Sequence, residues 1–325
     1  MWEQITALFS VGLFQNTIRN ATPVILAAMG GLFTEHAGIM NIGMDGMILI
    51  GAFVAVVFSY LFASAPMGVL FAVIIGIAIG LFFALFVVKL KADEFVIGTT
   101  VNIFAGGVTV YLLRSVFHQV GTWVSKDIKG LAPIDIPLIK DIPVIGEILS
   151  GYSLFVYLSW VFVIVVWIFL YRTPYGFWIR ASGEHPSALE TAGIDPVKMK
   201  FLASVLCGIF CGLAGAHLSL GYLNCFTEGM SASRGFIAFA CVVFGMANPP
   251  KVFGAALLFG FLQALGLRLQ SVGVPSDLTA AVPYLTTVLM LVYITVSATT
   301  KKRNRAKKEL KAEEAEHAEV SEPSA

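Results

Sequence analysis

Polar side chains that interrupt long apolar runs are the residues in this chain with the potential for chemistry. Residues 34–45 separate two such runs and carry Glu35, His36, Asn41 and Asp45 among glycines. Ionisable groups at membrane depth are costly, so each one marks a candidate functional position. A helix broken there also offers free backbone N–H and C=O groups, which is a common way to build a path for a small solute. The alternative is a solvated cytoplasmic turn, and the residues alone leave both interpretations open.

Three further polar residues extend this candidate path. Asn102 lies early in the fourth apolar run, and Asn224 and Glu228 flank the entrance to the seventh. Together with Asn41 and Asp45, they are the residues that we predict to line a substrate path.

A second candidate site is a short helix within the polar interval 172–200. Pro186 suits the first helical position, where its missing N–H has no consequence, and Gly193 suits the left-handed residue that ends a helix. A helix of two turns is marginal alone in water, so it should pack against something. Three residues share one face by their spacing: Ala188, Leu189 and Ala192. Docking on a cytosolic partner and an ordinary interfacial loop helix both explain these signals.

Catalytic and metal-binding motifs are missing from the sequence. There is no G-x-x-x-x-G-K-[ST], so this chain supplies no P-loop for nucleotide hydrolysis. Cys207 and Cys211 lie four residues apart, but their neighbours are apolar, which favours packed thiols over metal ligands. We therefore expect a chain that is not an enzyme, binds no metal or cofactor of its own and has no nucleic-acid partner.

The composition identifies the elements that hold these residues. Of 325 residues, 58% are hydrophobic and 13% are charged, and apolar runs of about 20 residues recur, each long enough to cross a bilayer. The runs are continuously apolar, which excludes a β-barrel. We predict an all-α polytopic membrane protein with about nine transmembrane helices, while eight or ten also fit. The predicted spans are 17–33, 46–62, 67–88, 95–117, 152–171, 199–222, 232–248, 252–270 and 280–298.

The chain divides into a transmembrane domain, 17–298, between two short ends. Residues 1–16 form an interfacial segment or the first turns of the next span. The tail, 299–325, opens with seven Lys or Arg within 11 residues and continues as a disordered acidic stretch. By the positive-inside rule the tail is cytoplasmic. Counting back four spans places 172–200 on the same side and the proline-containing loop 118–150 outside.

Two features within the spans predict how they pack. The seventh span is short and edged by glycine, so it is a candidate half-helix or re-entrant segment. Glycines four residues apart let helices approach closely in lipid, and they occur as Gly76 with Gly80 and as Gly208 with Gly212. We expect these pairs to pack within one subunit rather than between subunits.

Two stretches resemble motifs of a known family. Residues 38–47, GIMNIGMDGM, resemble the G-hydrophobic-NIG-x-[ED]-G motif of permease subunits in bacterial ABC importers for nucleosides and simple sugars. Residues 181–188, ASGEHPSA, and 192–194, AGI, resemble that family's cytoplasmic coupling loop. The likeness covers roughly 17–298, and its Asn-Ile-Gly is nearest to the nucleoside branch. Asp45 stands where Glu is more common, and His36 stands where Arg is common.

The resemblance implies a specific assembly. The chain would be one of two membrane subunits, often different from each other, in a bacterial inner or plasma membrane. They would pair with cytosolic ABC ATPases, which bind ATP and Mg²⁺, and with an extracytoplasmic substrate-binding protein. The implied function is nucleoside import, with simple-sugar import as the alternative. The residues implied in ATPase coupling are Gly183, Glu184, His185, Pro186, Ala188, Leu189, Ala192, Gly193 and Ile194.

Two other classes compete with this interpretation. An ion-coupled secondary transporter would need an essential intramembrane carboxylate and no ATPase. Its candidates are Asp45, Glu228 and Asp277. A membrane-embedded enzyme would need a catalytic constellation that the sequence does not contain.

Overall fold

The computed structural model describes residues 11–134 and 150–271, together with Leu285 and Val292. Nearly all of them belong to one compact unit, Met1–Ala280. The helices of the described residues, in chain order, are α1 Val11–His36, α2 Met44–Phe62, α3 Ala65–Ala84, α4 Glu94–Ser115, α5 Leu154–Arg172, α6 Pro174–Glu184, α7 Pro186–Thr191, α8 Pro196–Ala216, α9 Arg234–Phe244 and α10 Pro249–Ser271. Two helices continue as short π-helical segments: α3 as Leu85–Lys89 and α8 as His217–Leu223.

Six helices of the described part are long and apolar enough to cross a membrane: α2, α3, α4, α5, α8 and α10. This confirms the all-α polytopic prediction. The predicted first span is present as α1, but it is not among the six, because its first half carries Gln15, Asn16, Arg19 and Asn20. The predicted span 280–298 lies outside the described residues, apart from Leu285 and Val292. The total of nine spans therefore stays a prediction.

Helix α1 occupies the centre of the unit. Its residues 20–34 are all buried, and it contacts α5, α8, α9 and α10. The buried hydroxyls of Thr22 and Thr34 donate to the helix's own carbonyl oxygens at 2.8 and 3.0 Å, so burial leaves neither hydroxyl without an acceptor. Within the described residues the helix runs from Val11, so residues 11–16 are continuous with this span, and residues 1–10 lie outside the described part.

Glycines bring α3 and α8 into backbone contact. A Cβ added to Gly208 would lie 2.0 Å from the carbonyl oxygen of Gly76, and one added to Gly80 would lie 2.5 Å from that of Ser204. Any larger side chain would push the two helices apart. The glycine pairs therefore pack within one subunit, as predicted from their spacing.

The seventh predicted span is a broken segment. After the π-helical turn that ends α8, residues 224–233 contain no helix and include four positive-φ residues: Asn224, Gly229, Ala232 and Ser233. Helix α9 then has only 11 residues, or about 16 Å at 1.5 Å per residue, which is roughly half of a hydrocarbon core. The prediction of a half-helix is confirmed.

Two pairs of two-residue strands involve the described part of the loop 118–150. Strand β1, Thr122–Trp123, pairs antiparallel with β4, Phe226–Thr227. Strand β2, Pro133–Ile134, pairs antiparallel with β3, Tyr152–Ser153. The first pair links the loop to the broken segment, and the second links residues 133–134 of the loop to the two residues just before α5.

Candidate functional site

The turn between α1 and α2 holds the first predicted polar cluster. Asn41 is only 1% exposed. Its Oδ1 accepts the backbone N–H of Gly43 at 3.0 Å, and its Nδ2 donates to the sulfur of Cys207 at 3.3 Å. The Asn41 side chain therefore stabilises the turn and links it to α8 through Cys207.

Asp45 holds the start of the half-helix α9. Its Oδ1 accepts the backbone N–H of Gly235 at 3.0 Å, and its Oδ2 accepts the hydroxyl of Ser231 at 3.0 Å. A carboxylate at a helix N-terminus satisfies an N–H that has no partner within the helix and favours the positive end of the helix dipole. Asp45 thus joins the N-terminus of α2 to that of α9, at the break in the seventh segment.

Asn102, on α4, also forms hydrogen bonds to this turn. Its Oδ1 accepts the backbone N–H of Gly46 at 2.7 Å, and its Nδ2 donates to the carbonyl oxygen of Ile42 at 3.1 Å. Helix α4 thus supplies both a donor and an acceptor to the turn. Three predicted path residues, Asn41, Asp45 and Asn102, therefore meet at residues 41–46.

Glu228 and Asn224 have different surroundings. Glu228 pairs with Arg114 at 3.2 Å and accepts the backbone N–H of Gly121 at 3.1 Å. These two contacts, the Gly121 N–H first, hold the pKa of the Glu228 carboxyl below its ordinary value of 4.5. Asn224 is exposed, with φ of 52°, and it lines a separate polar cavity described below. The structure therefore brings three of the five predicted residues together and places Glu228 and Asn224 apart from them and from each other, and the role of the five as a substrate path stays a prediction.

The predicted docking helix is present as α7, and a further helix, α6, precedes it. The hydroxyl of Thr173 accepts the backbone N–H of Gly176 at 3.2 Å, which caps α6 before Pro174. The predicted interval 172–200 thus contains a bend of two helices, α6 and α7, which we call the elbow.

The signals predicted for α7 itself are confirmed. Pro186 is its first residue, and Gly193 has φ of +81° just past its end. Ala188 and Ala192 are exposed, while Leu189 is only 4% exposed. Leu189 therefore anchors the helix to the unit. Ala188 and Ala192, whose side chains are small, leave an accessible surface beside it.

A groove of about 340 Å³ opens along the elbow. Its walls come from both helices of the elbow: Phe177, Arg180, Ala181, Glu184, His185, Ala188, Leu189 and Ala192. Most of the lining is apolar, and it also carries the cation Arg180 and the anion Glu184. Five of the residues implied in coupling line it, while Gly183, Pro186, Gly193 and Ile194 lie outside its lining.

Gly183 connects the elbow to the turn that holds the polar cluster. A Cβ on Gly183 would lie 2.4 Å from the carbonyl oxygen of His36 and 2.7 Å from the backbone nitrogen of Gly38. His36 then binds the α9–α10 connection, since its Nε2 lies 2.9 Å from the carbonyl oxygen of Ala247. The two sequence motifs, far apart along the chain, are thus in direct backbone contact.

Sequence reasoning missed the partners of the polar residues. The sequence did not predict Ser231 and Gly235 beside Asp45, or Arg114 beside Glu228. The start of α6 had a readable signal, the Thr173-Pro174 pair, which is a common helix beginning.

Comparisons with known proteins agree on one family. A family model described as a branched-chain amino acid transport system permease component matches residues 13–293. The guanosine ABC transporter permease protein NupQ of Bacillus subtilis is 34% identical, over 85% of this chain and 89% of its own. The nucleoside ABC transporter permease protein NupC of Lactococcus lactis is 33% identical, over 85% and 90%.

A third relative carries a different substrate in its name. The putative glucose ABC transporter permease protein TsgC13 of Haloferax volcanii is 32% identical, over 89% of this chain and 93% of its own. No solved structure matches the chain. With its apolar helices, its motif-bearing elbow and these matches, the chain belongs to the branched-chain amino acid transport system permease family and is a multi-pass membrane transport subunit rather than a catalytic one.

Proposed function

We propose that this chain is the membrane permease subunit of an ATP-driven nucleoside importer. The main observation in support of this proposal is the contact between Gly38 and Gly183. This contact connects the elbow to the turn that precedes α2, and Asp45 at the start of α2 is hydrogen-bonded to α9. Relatives named for guanosine and nucleoside transport, each above 30% identity, support the substrate class.

In this proposal the elbow is cytoplasmic and receives a cytosolic ABC ATPase, which binds ATP and Mg²⁺. A second permease subunit, different from this one, completes the path, and an extracytoplasmic binding protein delivers the solute. The C-terminal tail is cytoplasmic, and the complex lies in a bacterial inner or plasma membrane.

Coupling follows from the contacts of the turn. A push on α7 passes through Gly183 to residues 36–38, and from there to the N-terminus of α2. Asp45 transmits the same displacement to α9 through Gly235 and Ser231. The permease needs two arrangements of similar free energy, which ATP and the loaded binding protein favour in turn.

Import of a simple sugar is the second candidate, supported by the glucose-type relative. An ion-coupled transporter has less support, because the carboxylates of Asp45 and Glu228 already accept hydrogen bonds from protein groups. Its third candidate, Asp277, lies outside the described residues.

Uptake into proteoliposomes distinguishes these functions. The complete complex, with its ATPase, partner permease and binding protein, is reconstituted with ATP inside the vesicles, on the ATPase side. We expect ATP-dependent uptake of labelled guanosine that ionophores do not abolish and that a nonhydrolysable ATP analogue does not support. Uptake of glucose alone would select the sugar importer, and uptake driven by an ion gradient without ATP would refute the proposal.

A further inference from the structure

A polar cavity of about 230 Å³ lies away from the elbow and from the turn at residues 41–46. Four parts of the described chain meet there: α1, residues 131–133, the β3–α5 junction and the π-helical segment after α8 with the residue that follows it. The polar side chains in its lining are those of Arg19, Tyr152, Ser153, His217, Tyr222 and Asn224. We call it the Arg19 cavity.

The depth of the Arg19 cavity follows from α1. Arg19 lies 17 residues before His36, which corresponds to about 25 Å along a helix at 1.5 Å per residue. The His36 end of α1 contacts the elbow. Because a hydrocarbon core is about 30 Å thick, we infer from this separation that Arg19 lies near the membrane boundary opposite the elbow.

The charge of the Arg19 cavity is unbalanced. Its described lining contains no Asp or Glu, and the ion pair found within the described residues joins Arg114 to Glu228 instead. The Arg19 guanidinium lies 5.6 Å from the centroid of the Tyr152 ring, a cation–π contact, and among the described residues no carboxylate compensates its charge. A half-buried guanidinium without a counter-charge favours binding of an anion.

The remaining groups suit the same ligand. Burial raises the pKa of Tyr152 to about 12, so this phenol keeps its proton at physiological pH. The hydroxyl of Ser153 and the amide of Asn224 add neutral donors to the wall. A guanidinium surrounded by neutral donors matches a phosphate group, whose oxygens accept bidentate bonds from Arg.

We propose that the Arg19 cavity binds a phosphate-type anion, either the headgroup of an acidic phospholipid in the leaflet opposite the elbow or a free phosphate. This binding does not depend on the transport proposal. A neutral nucleoside does not fit the assignment, because it brings no charge to compensate Arg19.

The test compares two sources of phosphate on the full-length chain. In uncharged detergent, inorganic phosphate is titrated against chloride at matched ionic strength while the unfolding temperature is followed. In nanodiscs, phosphatidylcholine alone is compared with a mixture containing phosphatidylglycerol. The variants are Arg19→Gln and the control Arg172→Gln, since Arg172 also lies over an aromatic ring, that of Trp167, at 6.0 Å.

We expect saturable stabilisation of the wild type and of Arg172→Gln by one source, with a roughly tenfold or larger loss of affinity in Arg19→Gln. Stabilisation by phosphate identifies a free anion, and stabilisation only by phosphatidylglycerol identifies a lipid. If Arg19→Gln does not fold by size-exclusion chromatography, Ser153→Ala replaces it, and several-fold weaker binding is expected. Equal responses of variant and wild type, no response to either source, or competition by guanosine would overturn the proposal.

Discussion

Gly38 and Gly183 are in backbone contact, although 145 residues separate them in the chain. A Cβ on Gly183 would lie 2.7 Å from the Gly38 nitrogen, and Gly38 has φ of +67°. Neither position tolerates a side chain without a backbone shift. We therefore expect the elbow and the turn before α2 to move together, and we propose this contact as the mechanical basis of the coupling.

Gly183→Ala should separate the two motifs. The atoms that a Cβ would meet belong to the backbone, so the clash is expected to cost about 1–3 kcal/mol and to lower the unfolding temperature. ATP-dependent uptake should fall further than the amount of inserted protein. The matched control is Gly254→Ala, where no heavy atom lies within 4 Å of the added Cβ. Equal behaviour of the two variants would contradict the close contact.

Asp45→Ala should destabilise the N-terminus of α9. Removing the carboxylate leaves Gly235 N–H and Ser231 without their acceptor, at an expected cost of about 1–3 kcal/mol. Asp45→Asn keeps one acceptor oxygen and should lose less. We expect faster hydrogen exchange of the amides at the start of α9, together with lower uptake. Glu35→Gln is the control, since its side chain is exposed at the end of α1, and exchange as fast in this control would argue against a specific clamp.

The contact between Glu228 and the external loop should weaken in acid. The folded pKa of Glu228 is depressed below 4.5, so the contact contributes stability above the unfolded pKa and loses it as pH falls through the folded value. The protection factor of the Gly121 amide, which corrects for the intrinsic pH dependence of exchange, should therefore fall in the wild type as the pH drops through the folded pKa of Glu228. Glu228→Gln should exchange faster already at neutral pH and remove this pH dependence. An identical acid response in both proteins would rule out Glu228 as its cause.

Ala188→Arg should block the elbow groove. Ala188 is exposed and lines the groove, so a long cation there should reduce ATPase co-purification at least tenfold, or about 1.4 kcal/mol. Glu190→Arg places the same side chain on an exposed position of α7 outside the groove lining, and it should retain the ATPase. Loss of the ATPase in both variants would point to a general charge effect.

Local chemistry explains which features were predictable from the sequence. Pro186 and Gly193 fix the ends of α7 through their own backbone preferences, so their roles were readable. The glycine spacing likewise predicted close helix packing within one subunit, because two helices can approach closely where neither carries a side chain, whereas the pairing of α3 with α8 is a finding of the structure.

Pairings over long sequence distances were not predictable in the same way. Asp45 finds its partners 186 and 190 residues further along the chain, and Glu228 pairs across 114 residues. Leu189 looked like part of an exposed face, but it is buried because α7 packs on the rest of the unit. Only the tertiary fold decides these partners.

Site-specific photo-crosslinking from position 188 tests the central claim most directly. The crosslinker replaces Ala188 in the complete complex in native membranes, and a second variant carries it at Val120, a residue of the external loop that is 73% exposed. We expect an adduct with the cytosolic ATPase from position 188 and none from position 120. An ATPase adduct from position 120, or none from position 188 in a complex that still imports its solute, would contradict the elbow as the ATPase docking site.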